Sequence, residues 1–220
     1  MTLYADFLDR DVFSTVGQTA DELGMPCYVV GGFVRDKFLD RPIKMDLDFV
    51  TVGSGIELAK AVQKKLSPRP KLSIFKSFGT AHMNHKGVDL EFVGARKESY
   101  QRDSRNPIVE DGTLADDQNR RDFTINAMAI SLNANLWGEL IDPFDGIADL
   151  AKKILRTPLN PDKTFNDDPL RMMRAIRFAA QLNFKIDSAS LTSIRKLGNR
   201  VSIVAPERVS QELNKIMEVS

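Results

Sequence analysis

Residues 44–50 read KMDLDFV, with Asp46 and Asp48 one residue apart inside what looks like a buried strand. A carboxylate taken out of water without a partner is costly, and two together need a stronger reason. Successive strand side chains face opposite ways, so Asp46 and Asp48 share one face and Leu47 and Phe49 the other. Two carboxylates held like this form a hard-oxygen site that suits magnesium. A third acid nearby would allow two ions about 4 Å apart, the arrangement used for phosphoryl and nucleotidyl transfer. GVDLEFVGA (87–95) offers that acid, because Asp89 and Glu91 also share a face. The plain alternative is an exposed edge strand with solvated acids.

The neighbouring sequence favours the site. Gly31-Gly32 ends the apolar run CYVV immediately before a helical segment, FVRDKFLD. Glycines there let backbone approach a phosphate, and a helix N-terminus offers N–H donors. Arg35, one turn on, adds a cation. The plain reading of Gly31-Gly32 is a tight turn that needs glycine.

Working outward, residues 3–23 have helical spacing and are predicted to cover one face of a sheet. CYVV and MDLDFVTV read as strands, and GIELAKAVQKKL as a helix. LSIFKSFGTAHMNH and GVDLEFVGA read as two strands joined near His85-Lys86-Gly87. Residues 96–121 are long, charged and aperiodic, and are expected to form a functional or mobile loop. Apolar structure resumes at Phe123–Ile130, and from Ala151 the pattern is mainly helical. The expected class is α+β: a mixed sheet with flanking helices over 1–150, then an all-helical unit over 151–220.

Composition is ordinary, at 42% hydrophobic, 28% charged and net +1, so a nucleic-acid partner must meet a local basic patch. The single cysteine, Cys27, excludes an internal disulfide and fits a reducing compartment. With no leader pattern or apolar run of membrane length, a cytoplasmic protein is expected. His82 and His85, in HMNH, would point to opposite faces of a strand and are expected to be structural or surface residues.

DDPLRMMRAIRF (167–178) places Pro169 at a first helical position, with Asp168 as N-cap. Arg171, Arg174 and Arg177 form a basic stripe, while Met172, Met173, Ile176 and Ala180 are expected to pack inward. The plain reading is a capped surface helix. The functional one gives Asp168 and Arg171 to a nucleobase. Cytosine and adenine each present an amino donor beside a ring-nitrogen acceptor. An acceptor-only carboxylate beside a donor-only guanidinium matches both, and mismatches guanine and uracil.

GGFVRDKFLDRPIKMDLDFV (31–50) closely resembles the first motif of class II tRNA nucleotidyltransferases, the CCA-adding enzymes of the DNA polymerase β superfamily. RRDFTINAMAI (120–130), DPFDG (142–146), DDPLRMMRAIRF and PERVSQELNKI (206–216) resemble the later motifs, in order. The resemblance implies a nucleotidyltransferase head with a five-stranded sheet, a helical neck, and untemplated addition of C and A to a tRNA 3′ end from CTP and ATP with magnesium. It makes Asp46 and Asp48 the catalytic metal ligands and places the third acid best on Glu91, with Asp89 as fallback. It gives Arg121, Asp122 and Asn126 to the sugar and phosphates, Arg174 and Arg177 to the triphosphate, and base selection to Asp168 and Arg171. Where the family has glutamate, Asp167 is one methylene shorter.

FKSFGTAHM looks CCA-type and lacks the basic cluster of the bacterial poly(A) polymerases. The length of 96–119 departs from the CC-adding members, which leaves full CCA addition or A addition. By that resemblance the chain is expected to end where the family's neck leads into body and tail domains. It is therefore expected to be either truncated there or an unusually short member, to bind tRNA weakly and to add nucleotides poorly. The rival readings are an antibiotic-type small-molecule nucleotidyltransferase, without the base-reading helix, and a noncatalytic RNA-binding module, without a full set of acids.

Overall fold

The computed structural model describes residues 3–42, 45–99 and 108–218. It divides into two compact units. The first comprises Met1–Lys97, Glu110–Gln118 and Met128–Pro143; the second comprises Glu98–Val109, Asn119–Ala127 and Phe144–Ser220.

The elements run α1 (Asp11–Glu22), β1 (Cys27–Val30), α2 (Gly32–Phe38), β2 (Asp46–Thr51), α3 (Gly55–Lys65), β3 (Leu72–Phe75), β4 (Thr80–His85) and β5 (Val88–Gly94). After them come β6 (Arg96–Ser99), β7 (Ile108–Asp111), α4 (Leu114–Asn119), β8 (Ala129–Ser131) and β9 (Leu140–Ile141). The main sheet has seven strands in the order β3-β4-β5-β2-β1-β8-β9, rather than the five implied by the resemblance. It is mixed, since β2 and β5 run parallel and the other pairs antiparallel.

Alternation decides the two faces of this sheet. Leu47, Phe49, Leu90, Phe92, Ala81 and Met83 are all at most 1% exposed on one face. A line of rings extends from it, with Phe92 against Phe49, Phe49 against Phe13 of α1, and Phe13 against Phe33 of α2. Leu58, Ala59 and Val62 of α3 are fully buried, and α3 packs against β2, β3, β4 and β5. Cys27 lies in this unit as a free, buried thiol, and burial pushes its pKa up to about 12. It behaves as a small hydrophobe.

The second unit contains α5 (Gly146–Lys152), β10 (Ile154–Leu155), α6 (Pro161–Asp167), α7 (Leu170–Leu182), β11 (Lys185–Ile186), α8 (Ser188–Leu197) and α9 (Pro206–Met217). Asn160 caps α6 ahead of Pro161, and Asp187 caps α8 by accepting from the Ala189 and Ser190 amides. Asp162 of α6 accepts from Ser193 and Lys196 of α8, each at 2.6 Å.

Several sequence expectations change. The stretch LSIFKSFGTAHMNH is two strands, folded back at Lys76–Phe78 and closed by Gly79 at φ +63°. Residues 96–121 are not a single loop. They carry the two-stranded β6-β7 ribbon and α4, while 100–107 lie outside the described residues. The stripe on α7 also differs in part, although Met172 packs inward as expected, at 2% exposed. Arg171 and Arg177 are each only 9% exposed, whereas Ile176 is 47% exposed and Ala180 is exposed. Carboxylates and carbonyls of the same unit draw the guanidinium groups in.

Candidate active site

The acids lie on the sheet face opposite the phenylalanines. Asp46 is exposed and Asp48 half-buried, so the strand is not dry on both sides as KMDLDFV alone implies. Their water contact removes most of the desolvation cost. Parallel pairing sets Asp48 opposite Glu91 and Asp46 opposite Asp89. Antiparallel pairing sets His82 opposite Glu91 and Asn84 opposite Asp89. Four carboxylates thus line two adjacent strands on one open face.

The two candidates for third acid differ in their surroundings. Asp89 accepts from Asn84 Nδ2 at 2.9 Å and lies 3.2 Å from His82 Nε2. The Asn84 hydrogen bond, aided by His82, holds its pKa below the usual carboxylate value. Glu91 is exposed and has no hydrogen-bond or ion-pair partner among the described residues. Among the described residues no group of three or more His, Cys, Asp or Glu is gathered to hold a metal. The donor set fits a hard divalent cation by chemistry and by shared face, through the pair Asp46 and Asp48, with Glu91 aligned beside them by register.

Upstream, Gly31 has φ 74° and ψ −132°, a backbone conformation open essentially to glycine. Gly32 is different. A Cβ there would meet only Arg35 Nη2, at 3.6 Å, so the protein's own packing does not require glycine. Close approach by a ligand would. Arg35 is buried and donates to the adjacent Asp36 from Nε at 2.8 Å and Nη2 at 3.0 Å. The expected phosphate contact from Arg35 is thus competed for by a buried carboxylate.

The second unit carries the other candidate residues. Asp122 is 7% exposed and accepts from the Phe123 amide at 2.8 Å and Asn126 Nδ2 at 3.0 Å. Arg174 donates to its other oxygen, from Nε at 2.8 Å and Nη2 at 2.6 Å. Burial alone would raise the Asp122 pKa. The charge of Arg174, the Asn126 and Arg174 hydrogen bonds and the charge of Arg171 outweigh it, and the group titrates at about 2. The same pairing raises the pKa of Arg174. Arg121 Nη1 lies 3.5 Å from the Asn126 carbonyl.

Asp168 caps the start of α7, its Oδ1 accepting from the Leu170 amide at 3.2 Å. Arg171 is oriented by two backbone carbonyls, those of Thr164 at 3.3 Å and of Arg120. A guanidinium carries five N–H groups, so this anchoring leaves donors to spare. Arg174 and Arg177 sit over the Phe178 ring, 5.3 Å and 4.3 Å from its centroid.

One residue escaped the sequence reading. Glu212 of α9 is 4% exposed, with Arg177 Nε at 3.1 Å, Arg174 Nη1 at 3.8 Å and Lys215 at 3.9 Å. Its signal was present, because Val209, Glu212 and Ile216 share a helical stripe and an acid in such a stripe calls for a buried cation.

Comparison with known proteins gives the context. Residues 27–156 match the family described as the poly A polymerase head domain, and 183–219 match "Probable RNA and SrmB- binding site of polymerase A". An A-adding tRNA nucleotidyltransferase of Aquifex aeolicus is 44% identical over 78% of this chain and 20% of its own length. A CCA-adding enzyme of Anoxybacillus flavithermus is 36% identical over 94% of this chain and 50% of its own. A crystal structure of a tRNA nucleotidyltransferase complexed with a primer tRNA and an incoming ATP analogue superimposes with TM-score 0.79 at 37% identity, over 93% of this chain and 58% of that one. The chain therefore spans less than two thirds of the length of each of these relatives.

Proposed function

This chain belongs to the poly(A) polymerase head-domain family, and from that premise we propose that it is the nucleotidyl-transferring part of a tRNA nucleotidyltransferase that adds C and A to a tRNA 3′ end from CTP and ATP. The observation that carries the reading is Asp46 and Asp48 on an open sheet face, with Glu91 in register beside Asp48. Addition of A alone is the second reading, supported by the A-adding relative.

In the proposed reaction the 3′-hydroxyl oxygen of the RNA bonds to the α-phosphorus of the incoming nucleotide. The bond between that phosphorus and the α–β bridging oxygen breaks, and pyrophosphate leaves. Glu91, exposed and not committed to a neighbour, takes the hydroxyl proton. Nucleotidyl transfer in this family uses a divalent metal, which we take to be magnesium. Held by Asp46 and Asp48, it would favour the deprotonated hydroxyl and offset charge on the transferring phosphoryl group. Backbone at Gly31 and Gly32 takes the phosphates at close range.

Asp168 and Arg171 select the base, Asp168 accepting from the exocyclic amine and Arg171 donating to the ring nitrogen. The two carbonyls that orient Arg171 support this role, since a fixed guanidinium discriminates better than a mobile one. Arg121, Asp122 and Asn126 serve the sugar and phosphates, and Arg174 and Arg177 the triphosphate. The small-molecule and noncatalytic alternatives are less well supported, because neither accounts for the base-selecting helix together with the acid face. A cytoplasmic setting fits a lone, buried Cys27.

The test is a titration of all four ribonucleoside triphosphates with magnesium against the wild type and an Asp168→Ala, Arg171→Ala double variant. Preference for CTP and ATP over GTP and UTP, lost in the variant, is expected. Equal binding of all four, unchanged in the variant, would remove base selection from α7.

A further inference from the structure

The outer edge of the main sheet has a character that the proposed chemistry does not use. From Leu58 to Val88 the chain contains seven Lys or Arg and no Asp or Glu, against a net charge of only +1 for the whole sequence. All seven cations are exposed, and Lys65 alone of them forms an ion pair among the described residues, with Glu22. Within this stretch β3 forms one end of the sheet, and its last residue and the turn after it present two large rings to solvent. Phe75 is 50% exposed and Phe78 63% exposed, flanked by Lys71 and Lys76. The turn is braced by Arg96, which donates to the Phe78 carbonyl at 3.1 Å, and is closed by Gly79.

Strand register connects this edge to the acids. Glu91 pairs with His82 and His82 with Ser73, so Ser73 lies on the acid face. Phe75, two residues on, lies on that face as well. Two strand spacings separate β3 from β5, which puts Phe75 roughly 10 Å to the side of the carboxylates. Exposed aromatic faces interleaved with cations, in a stretch that itself contains no acid, form a platform for unpaired bases. A flat apolar partner surface would call for contiguous hydrophobic residues, and lysines interrupt them here.

We propose that Phe75 and Phe78, with Lys71 and Lys76, are a stacking platform for the single-stranded 3′ end of the RNA that is extended. The inference rests on the nucleotidyltransferase reading, and it names the surface that presents the acceptor end to the acid face. Phe75 and Phe78 supply sequence-tolerant stacking. Lys71 and Lys76 hold the backbone phosphates on either side.

The experiment uses the 220-residue chain and a short single-stranded RNA ending in CC, with 2-aminopurine next to its 3′ end. Binding should quench the probe. A Phe75→Ala, Phe78→Ala variant should lose the quench and about 5- to 150-fold in affinity per lost stack, whereas Phe75→Trp should keep both. A Lys71→Gln, Lys76→Gln variant should shallow the salt dependence by about 0.7 per cation removed. Magnesium-dependent CTP and ATP binding, measured on the same proteins, should be unchanged. Unaltered RNA affinity in the double-Phe variant, or no quench with wild type, overturns the platform while intact nucleotide binding leaves the nucleotidyltransferase reading in place. Failure of the wild type to bind CTP or ATP would instead strike the reading itself. Loss of self-association without loss of RNA affinity would assign the rings to a protein contact and overturn the proposal.

Discussion

Asp122 ties ionisation to stability. Its folded pKa of about 2 lies below the ordinary 3.8, so the stabilisation is complete above about pH 4 and fades as pH falls towards 2. Asp122→Asn should lower unfolding free energy at pH 7 by roughly 2 kcal/mol, from the shift at 1.36 kcal/mol per unit. In urea melts the gap between wild type and variant should narrow below pH 4; a gap constant from pH 7 to pH 3 would place the effect in packing instead. The third acid is a second test at this scale. Asp89 is held by Asn84 and His82, whereas Glu91 is uncommitted. Glu91→Gln should slow transfer by about 100-fold or more, and Asp89→Asn by far less, both read by single-turnover extension of a tRNA primer. The opposite ranking would pass the role to Asp89. Sequence spacing put both acids on one face but could not choose between them, since the choice depends on partners brought in from β4.

At the scale of elements, close packing sets the tolerances. A Cβ on Gly17 in α1 would come within 2.1 Å of the Leu132 carbonyl oxygen, a backbone atom that cannot swing aside. Gly17→Ala should therefore destabilise by about 1–3 kcal/mol despite its better helix propensity, measured by thermal or urea unfolding. A neutral or stabilising result would mean that α1 shifts freely. The same scale shows where periodicity misleads. In α7 the three-residue spacing of Arg171, Arg174 and Arg177 reads as a solvated stripe, yet Arg171 and Arg177 are buried and Ile176 is exposed. Hydropathy assigns an arginine to water by default. Here Asp122, Glu212 and the carbonyls of Thr164 and Arg120 supply partners that no local pattern reveals. The fold-back between β3 and β4 was missed for a related reason. LSIFKSFGTAHMNH reads as one strand, and only the positive φ of Gly79 and the register show a turn, with both rings exposed.

For the whole molecule, the expected behaviour is nucleotide binding without efficient RNA extension. The 220 residues should bind CTP and ATP with magnesium yet add nucleotides slowly to tRNA, because the net charge of +1 gives little non-specific grip on a phosphate backbone. Rapid, complete CCA addition by this chain in a gel-based extension assay would contradict that. Among the described residues no helix is long and apolar enough to cross a membrane. The sequence by itself determined the α+β class, the shared face of Asp46 and Asp48 and the turn at Lys86-Gly87. Alternation, glycine conformations and capping act over a few residues and leave a direct trace in their order. Only the tertiary structure decided that the acid face is open, that Asp89 is occupied while Glu91 is not, and that Glu212 lies buried among cations. Those outcomes rest on strand pairing and on charges far apart in the chain. Their energies depend on solvent exclusion, which is a property of the packed molecule and not of any segment of it.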